Sequence, residues 1–457
     1  MSIQNKISLS LKRMTPPGAR RAAAMGLRRG RRWLSCQASE QIAAWVASEE
    51  PAPPPSDFEG WEPREFFRFE VLHQSKSSGA RVGRIHTPHG HVDTPGYVAV
   101  ATNAALKHVD HTLTDYSEED RGQQLMFCNS YHLLLQPGGE AVEAAGGLHR
   151  FMNRTQPLIT DSGGFQVFSL ANHSVTDELN SKLNSKKRYP KGTMRVSEAG
   201  VVFRSYRDGK LVDLSPEKSV LNQKQLGADI IIPLDELPPF HTPARDLVRS
   251  VALTHRWEAR SLRTHLADLR QQAMLGVIHG GISRELRTWS AEYISGLPFD
   301  GFAIGGSLGR DTAELLGILG TVMPILRADG GRLPPGTRKP VHLLGVGDEM
   351  SIRAAAKTGV DTFDSCFPTR LGRHGAALIT GGSRINITNS RFKTEYRAVL
   401  DEECDCRVCS QGFSRAYLHH LFKAKEPLGP QLLAIHNLRY MERLMKGIRS
   451  DILNDML

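Results

Sequence analysis

Cysteines cluster near the C-terminal end of this 457-residue chain. Three of the six lie within six residues: Cys404, Cys406 and Cys409. Thiolates are common ligands of Zn²⁺, and structural sites supply four nitrogen or sulfur ligands in a tetrahedron. His436 follows a stretch that can fold back to supply the fourth ligand, and His419 and His420 are alternatives. In a chain without a secretory signal, this pattern predicts one structural Zn²⁺ with no open position, rather than a disulfide framework.

A carboxylate and two glycines follow the short apolar run at residues 157–160. They belong to the stretch Asp161, Ser162, Gly163, Gly164 and Phe165. Glycines let a planar ligand approach the backbone, and Phe165 can stack on such a ligand. Asp161 is therefore a candidate general acid/base, and an aspartate that only closes an Asx-turn is the alternative.

A second carboxylate, Asp364, ends another apolar run and precedes Arg370 and Arg373, which suit phosphate. Two facing carboxylates are required by glycosidic chemistry with a covalent intermediate. One attacks the anomeric carbon, and the other moves protons on the departing and arriving groups. Asp364 is the candidate nucleophile, and Asp235 ends a third run. The residues alone predict an enzyme that acts on a glycosidic or phosphorylated substrate.

Seven short apolar runs alternate with helical segments, which is typical of parallel α/β architecture. The runs are residues 125–128, 157–160, 228–234, 274–278, 301–304, 341–344 and 360–363. One intervening helix is predicted at 215–226, with Ser215 as its cap and Gly227 as its stop. Polar or glycine residues come after every run, as at the C-terminal rim of a (β/α)8 TIM barrel. A doubly wound open sheet is the alternative, although no G-x-G-x-x-G turn opens the first unit.

The segment before the predicted barrel differs in composition from the rest of the chain. Nine of the positive charges behind the net +10 precede the first acidic residue, Glu40, so the remainder is nearly neutral. A nucleic-acid site must then be a local basic patch. Residues 1–40 resemble an organellar transit peptide, and a disordered basic tail is the alternative. We predict a Pro-rich linker at 41–66, an antiparallel cap at 81–100, and one barrel domain at 67–457 with a zinc subdomain at 400–440.

Ordered motifs across residues 69–445 resemble the queuine/preQ1 tRNA-ribosyltransferases, also called tRNA-guanine transglycosylases. Besides the two aspartate stretches, the matching segments are residues 129–133, 146–152, 203–205, 226–229, 303–306, 345–347 and the zinc motif from 404 to 436. The resemblance implies a (β/α)8 barrel that acts on the wobble guanine of tRNAs with GUN anticodons. It implies that Asp364 attacks C1′ and releases guanine, and that Asp161 deprotonates the incoming queuine or preQ1 base.

The resemblance also assigns binding residues. By this resemblance, the residues at positions that contact the base in the family are Asp161, Ser162, Gly163, Gly164, Phe165, Asp235, His279 and Gly306. Those on tRNA-contacting segments are Gly345, Val346, Gly347, Asp348, Glu349, Met350, Ser351, Thr369, Arg370, Leu371, Gly372 and Arg373. Three departures bear on the choice of base. His279 replaces the usual glutamine, Leu237 replaces cysteine or valine, and Gly309 replaces a larger valine. Gly309 is expected to widen the pocket toward queuine, whereas Leu237 narrows it.

Two other functions remain for a chain with these motifs. One is a non-catalytic tRNA-binding subunit that pairs with a catalytic chain, although both aspartates argue against it. The other is an archaeosine-type enzyme, for which the chain leaves no room for further RNA-binding domains. The resemblance implies a homodimer, or a heterodimer with a non-catalytic paralogue. The leader favours a mitochondrion or plastid, with the cytoplasm as the alternative, and no apolar run approaches the length of a membrane span.

Overall fold

The computed structural model describes residues 39–117, 120, 122–171, 194–328, 333–334 and 336–457. The chain divides into two compact units, residues 1–50 and 51–457. In the first unit, residues 39–48 are helical. The predicted leader at 1–40 lies outside the described residues, apart from its last two. Among the residues described, we find no helix long and apolar enough to cross a membrane.

The strands of the second unit form one barrel and three small antiparallel sheets. In chain order they are β1 (Arg68–Gln74), β2 (Arg81–Thr87), β3 (Gly90–Thr94), β4 (Gly96–Val100), β5 (Met126–Cys128), β6 (Leu158–Thr160), β7 (Met194–Ser197), β8 (Gly200–Arg204), β9 (Leu211–Leu214), β10 (Ile230–Ile231), β11 (Ala273–Ile278), β12 (Gly301–Ile304), β13 (Val341–Leu343), β14 (Thr362–Ser365), β15 (Ala376–Ile379) and β16 (Ser383–Asn386). Eight parallel strands, β4 to β6 and β10 to β14, close into the barrel in chain order, with β14 paired to β4. This confirms the predicted TIM barrel and excludes the open sheet.

The antiparallel cap predicted at residues 81–100 is only partly correct. β1, β2 and β3 form that sheet, but β4 (Gly96–Val100) is the first barrel strand. Within it, Val98 and Ala99 are fully buried because β4 is flanked by β14 and β5. The prediction at 81–100 therefore merged two sheets. The other antiparallel sheets are β7 to β9, inserted between β6 and β10, and the hairpin β15–β16.

Helices surround the barrel. They are α1 (Ser130–Leu135), α2 (Gly139–Ala144), α3 (Gly147–Met152), α4 (Gly164–Ala171), α5 (Pro216–Leu226), α6 (Ala244–Ala267), α7 (Arg284–Gly296), α8 (Thr312–Arg327), α9 (Glu349–Ala356), α10 (Phe367–Arg373), α11 (Arg407–Ser410), α12 (Arg415–Ala424) and α13 (Leu428–Leu453), with 3-10 turns at Pro55–Asp57, His111–Thr114 and Ser390–Thr394. The predicted ends of α5 are confirmed. The Ser215 hydroxyl accepts the Lys218 N–H, and Gly227 is left-handed with φ +69°.

Apolar side chains fill the barrel and hold its strand ends in place. Phe127, Ile159, Leu275 and Val277 are among the buried residues of one cluster drawn from several barrel strands. A larger cluster joins the strands to the surrounding helices and includes the faces of α8 and α13. Burial of apolar surface contributes roughly 25 cal/mol per Å². The packed barrel therefore gives the polar residues beyond each strand a rigid base.

The second half of the predicted linker at 41–66 contacts the barrel. Trp61 Nε1 donates to Asp300 Oδ1 at 2.9 Å, and Arg64 Nε donates to the same oxygen at 3.0 Å. Tyr293 donates its hydroxyl to the carbonyl of Pro53 at 2.9 Å. Residues 51–66 thus lie against the end of the barrel where the strands begin.

Candidate functional site

Asp161 lies directly after β6, on the C-terminal rim. Its Oδ1 accepts the backbone N–H of Ser130 at 2.7 Å, and its Oδ2 accepts the side-chain N–H of Asn129. Burial raises the pKa of Asp161 to about 6, although these hydrogen bonds act in the opposite direction. A carboxyl with this pKa exchanges a proton readily near neutral pH, which suits a general acid/base.

Asp364 lies in β14 on the same rim, separated from β6 by β4 and β5 in the closed sheet. Its Oδ1 accepts the N–H of Gly345 at 2.9 Å and lies 3.2 Å from His342 Nε2. His342 Nδ1 is 2.8 Å from the Thr362 hydroxyl. With its hydrogen on Nε2, the imidazole donates to Asp364 and accepts from Thr362. Both contacts are made by Oδ1, and neither of them involves Oδ2.

The expected base-binding residues form one connected group beside Asp161. The Ser162 hydroxyl donates to Asp235 Oδ1 at 3.2 Å, and Ser219 donates to the Ser162 carbonyl at 2.8 Å. His279 Nε2 lies 2.9 Å from Asp235 Oδ2, but the angle of this contact is not that of a hydrogen bond. Asp235 and His279 are both buried, at 5% and 3% exposure. A polar nitrogen buried in this way is positioned for a partner that enters the pocket.

Glycines bring the backbone close to this group. A Cβ at Gly164 would lie 2.8 Å from the Asp235 carbonyl oxygen, and one at Gly306 would lie 2.8 Å from His279 Nδ1. Gly163 and Gly306 are left-handed, with φ +87° and +73°. Phe165, at 49% exposure, stands at the mouth of the group. Without a side chain at these glycines, the backbone packs directly against Asp235 and His279.

The two segments expected to contact tRNA differ in exposure. Met350 is 68% exposed, whereas Thr369 and Gly372 are buried and α10 packs on α13. The Asp348 carboxylate caps α9 by accepting the Ser351 N–H at 2.9 Å, and Glu349 pairs with Arg353 at 3.0 Å. Other members of the segments lie at the rim and are partly or fully accessible: Gly345, Val346, Arg370, Leu371 and Arg373.

The predicted metal ligands converge. Cys404, Cys406, Cys409 and His436 are buried, and their ligand atoms lie within 4.8 Å of one another. His436 Nδ1 is 3.4 Å from both Cys406 and Cys409 Sγ. Its Nε2 lies 2.7 Å from the Leu378 carbonyl, which accepts that N–H and fixes Nδ1 as the nitrogen with the lone pair. His419 instead bonds the Ile387 carbonyl at 2.8 Å. The set fits a metal ion with four protein ligands.

Comparison with known proteins decides the family. A family model described as Queuine tRNA-ribosyltransferase matches residues 75–457. The queuine tRNA-ribosyltransferase of Protochlamydia amoebophila is 50% identical over 392 residues, covering 86% of this chain and 97% of that relative. The chain belongs to this family. That of Chlamydia caviae is 51% identical over 389 residues, covering 85% of this chain and 99% of the relative. The family match begins at residue 75, so the predicted leader and linker lie outside it.

One residue of the transferase site is not predicted from the sequence. His342 lies inside the apolar run 341–344, whereas Asp161, Asp235 and Asp364 each follow an apolar run. A signal for it exists, because strand residues alternate sides and His342 and Asp364 occupy adjacent paired strands.

Two departures within the family have a local structural explanation. Gly309 is left-handed, with φ +92°, and a Cβ there would lie 2.5 Å from Glu314 Cβ. Leu237 packs on a separate apolar cluster. A cavity of about 280 Å³ next to His279 and Gly306 is lined by Pro238, Phe240 and Ser307, and by neither Leu237 nor Gly309. The effect of these two residues on the incoming base stays a prediction.

Proposed function

We propose that this chain is a tRNA-guanine transglycosylase, a pentosyltransferase that exchanges guanine 34 of GUN-anticodon tRNAs for queuine or preQ1. The observation that carries the proposal is the pair Asp161 and Asp364 on one barrel rim, each held by a backbone N–H. A tRNA-binding subunit without activity has no need of either carboxylate. The family match over residues 75–457 supports the same reaction.

The chemistry depends on how the two carboxylates are held. Asp364 Oδ2 attacks C1′ of the guanosine ribose, so that an ester bond forms and the glycosidic C–N bond breaks. The departing guanine takes up a proton from water. The incoming base then attacks C1′, loses a proton from the attacking nitrogen to Asp161, and frees Asp364. The raised pKa of Asp161, about 6, suits this acceptance of a proton near neutral pH.

Base recognition is proposed for the group around Asp235. The Asp235 carboxylate accepts the N–H groups of a guanine-like edge, and the backbone near Gly164 and Gly306 approaches the ring. His279 supplies an imidazole N–H toward a carbonyl of the base, where its Nε2 now faces Asp235. Phe165 stacks on the ring face. The same pocket accepts guanine, preQ1 and queuine in turn.

Recognition of tRNA is proposed for the rim beyond Asp364. The accessible residues Gly345, Val346, Arg370 and Arg373 contact phosphates or unstacked anticodon bases. Thr369 and Gly372 are buried, so they position the backbone of this segment and do not contact the tRNA directly. The wobble base must leave its stack to reach Asp364.

We propose that Cys404, Cys406, Cys409 and His436 hold one Zn²⁺. Four protein ligands leave no position for substrate, so the ion stabilises the fold and takes no part in the reaction. It would join α11 to α13, and α13 packs on α10, which follows Asp364. We also propose that the protein acts as a dimer, and that residues 1–40 direct it to an organelle.

Base exchange is the direct test. The protein is incubated with labelled guanine, preQ1 or queuine and a tRNA that has guanine 34, and incorporation is measured. We expect all three bases, or guanine and one of the others, to enter the tRNA. The matched substrate carries adenine 34 and should take up no label. If none of the three bases is incorporated, the proposed function is excluded.

The pH dependence of incorporation should report the ionisation of the Asp161 carboxyl group. Because the carboxylate form accepts the proton, the rate should rise about tenfold per pH unit below pH 6 and level off above it. Asp161→Asn should lower the rate roughly 100-fold or more and remove this inflection. The measurement is the initial rate at saturating tRNA from pH 5 to 8.

Exposed Asp213 in β9 gives a matched control, since Asp213→Asn removes a carboxylate that pairs with Lys218 at the surface. Its profile should follow that of wild type. An inflection near pH 6 that persists in Asp161→Asn would assign the proton transfer to another group.

His342 should act as a positioning residue for Asp364. In His342→Phe the Nε2 donor is lost, and we expect a ten- to hundredfold lower kcat with a KM for the base within roughly threefold of wild type. His342→Gln restores a donor and should recover part of the rate. Single-turnover formation of the covalent adduct is the measurement. An unchanged adduct rate in His342→Phe would show that the contact is only structural.

A further inference from the structure

Arg287 of α7 is a fully buried cation that the proposed reaction does not use. Arginine is rarely buried to this extent unless its charge is paired. Among the residues described, no carboxylate forms an ion pair with Arg287, and backbone carbonyls accept its N–H groups. Burial lowers the pKa of Arg287 to about 9, so the guanidinium keeps its charge at neutral pH.

Three hydrogen bonds from this guanidinium join the loops that follow β11 and β12. Arg287 Nη1 donates to the carbonyl of Ile278 at 2.7 Å, and Nε donates to that of Gly281 at 2.7 Å. Nη2 donates to the carbonyl of Ser307 at 2.8 Å. The first two carbonyls belong to the end of β11 and the loop after it, and the third belongs to the loop after β12. One side chain therefore connects the loops of two neighbouring strands.

The contacts of Arg287 lie where the backbone pairing of β11 with β12 ends. The last residue pair of this parallel ladder is Ile278 with Ile304, and the Gly305 N–H donates to the Ile278 carbonyl at 3.1 Å. Beyond Gly305, no backbone hydrogen bond joins the two loops in the described part of the chain. The hydrogen bonds that connect them past this point come from the Arg287 side chain.

The two loops carry part of the base site. A Cβ at Gly306 would lie 2.8 Å from His279 Nδ1, so the imidazole of one loop packs directly on the backbone of the other. The second ring nitrogen, Nε2, lies 2.9 Å from Asp235 Oδ2. The cavity of about 280 Å³ beside them is lined by both loops, whereas Arg287 is not among its described lining residues. A change in the spacing of the loops would therefore move His279 relative to Gly306 and Asp235.

A second side chain of α7 contacts the same histidine. The Ser290 hydroxyl accepts the backbone N–H of His279 at 3.1 Å, and Ser290 is fully buried. Ser290 comes three residues after Arg287, which places both on one face of the helix. Long side chains of a helix point back toward its N-terminus, and this direction brings the guanidinium to the loop that precedes α7. The helix thus holds this loop at two separate points.

We propose that Arg287 is a positioning residue of the base site, which determines the affinity for the incoming base by holding the loops after β11 and β12 at one spacing. This inference rests on the proposed base exchange. Hydrogen bonds from a charged donor are shorter and stronger than those from a neutral one. Because the donors of a guanidinium lie in one rigid plane, three of them fix the relative positions of three carbonyls.

The test compares KM values in base exchange by the full protein. Initial rates of labelled guanine incorporation are measured while either guanine or guanine-34 tRNA is varied. In Arg287→Met we expect the KM for guanine to rise roughly tenfold or more, with the KM for tRNA within about threefold of wild type. Arg287→Lys keeps the charge but not the planar set of donors, so its KM for guanine should lie between the other two. A smaller folded fraction alone would lower the rate at every guanine concentration and leave KM unchanged.

Arg284→Met is the matched control, because Arg284 is an exposed arginine of the same helix. Its KM values should be those of wild type. Ser290→Ala removes the other contact with the His279 loop and should raise the KM for guanine roughly threefold or more. Thermal unfolding shows which variants are folded.

The proposal is overturned if folded Arg287→Met keeps the wild-type KM for guanine, or if its KM for tRNA rises as much as that for guanine. If Arg287→Met does not fold, wild-type KM values for guanine in both Arg287→Lys and Ser290→Ala overturn it. A wild type that exchanges no base would exclude the proposed function and this inference with it. Unchanged KM values in variants of an active wild type exclude the inference alone.

Discussion

Asp364→Asn is expected to abolish base exchange, with a rate at least roughly 10⁴-fold below wild type. The amide cannot form the ester with C1′, and removal of a nucleophile takes away the whole covalent route. It can still accept the Gly345 N–H with its oxygen, so the fold around β13 and β14 should persist. Incorporation of labelled guanine into tRNA measures the rate. A denaturing gel measures the covalent adduct, which wild type should form and the variant should not.

Asp213→Asn, at the protein surface, separates loss of a nucleophile from loss of any carboxylate. It should keep both the exchange rate and the adduct. A tRNA adduct on Asp364→Asn, or exchange above about a tenth of the wild-type rate, would exclude Asp364 as the nucleophile. Asp161→Asn would then be the variant to test for loss of the adduct.

The barrel is predictable because polar or glycine residues follow most of its strands. Seven runs are recognisable by the polar or glycine residues beyond them, such as Asp161 after β6 and Asp235 after β10. β4 is misassigned because Ala101, and not a polar or glycine residue, directly follows Val100. It also comes after antiparallel β3 with only one intervening residue, Pro95. Local pattern alone does not reveal that β14 pairs with it.

The candidate site shows the same division between local and distant information. Asp161, Ser162, Gly163 and Gly164 are contiguous, so the sequence itself indicates their shared role. The contact of His342 with Asp364 joins residues 22 positions apart through strand pairing. The contact of the Lys339 ammonium with the Trp61 ring also joins residues far apart in the sequence, and neither is part of a sequence motif. Interactions made by tertiary packing leave no local pattern.

The cysteine cluster lies between these cases, because three ligands are local and the fourth is distant. His436 is one of three histidine candidates, and the structure selects it through the Leu378 carbonyl. That carbonyl accepts Nε2–H and leaves Nδ1 facing the sulfur atoms. His419 is committed to the Ile387 carbonyl. The choice depends on the hairpin β15–β16, whose strands supply or adjoin these carbonyls and which no spacing rule predicts.

Removal of the metal ligands should destabilise the protein strongly. Cys406→Ser is expected to lose about one bound metal ion per chain and to lower the unfolding midpoint by roughly 10 °C or more. The physical reason is that binding free energy of a structural ion contributes directly to folding, and all four ligands here are buried. Without the ion, three thiols and an imidazole remain within 4.8 Å of one another in the core. Elemental analysis measures the metal, and thermal unfolding measures the stability.

Cys366→Ser provides the control, because Cys366 is an exposed cysteine outside the cluster. It should keep its metal ion and its unfolding midpoint within about 2 °C of wild type, since surface substitutions usually change stability by less than about 0.5 kcal/mol. A chelator should reproduce the effect of Cys406→Ser in wild type, and added Zn²⁺ should reverse it. A Cys406→Ser protein that keeps one metal ion per chain and an unchanged unfolding midpoint would show that the four side chains only pack together. Because α13 carries His436 and packs on α10 next to Asp364, loss of the ion should also lower base exchange, as a consequence of lost order rather than lost chemistry.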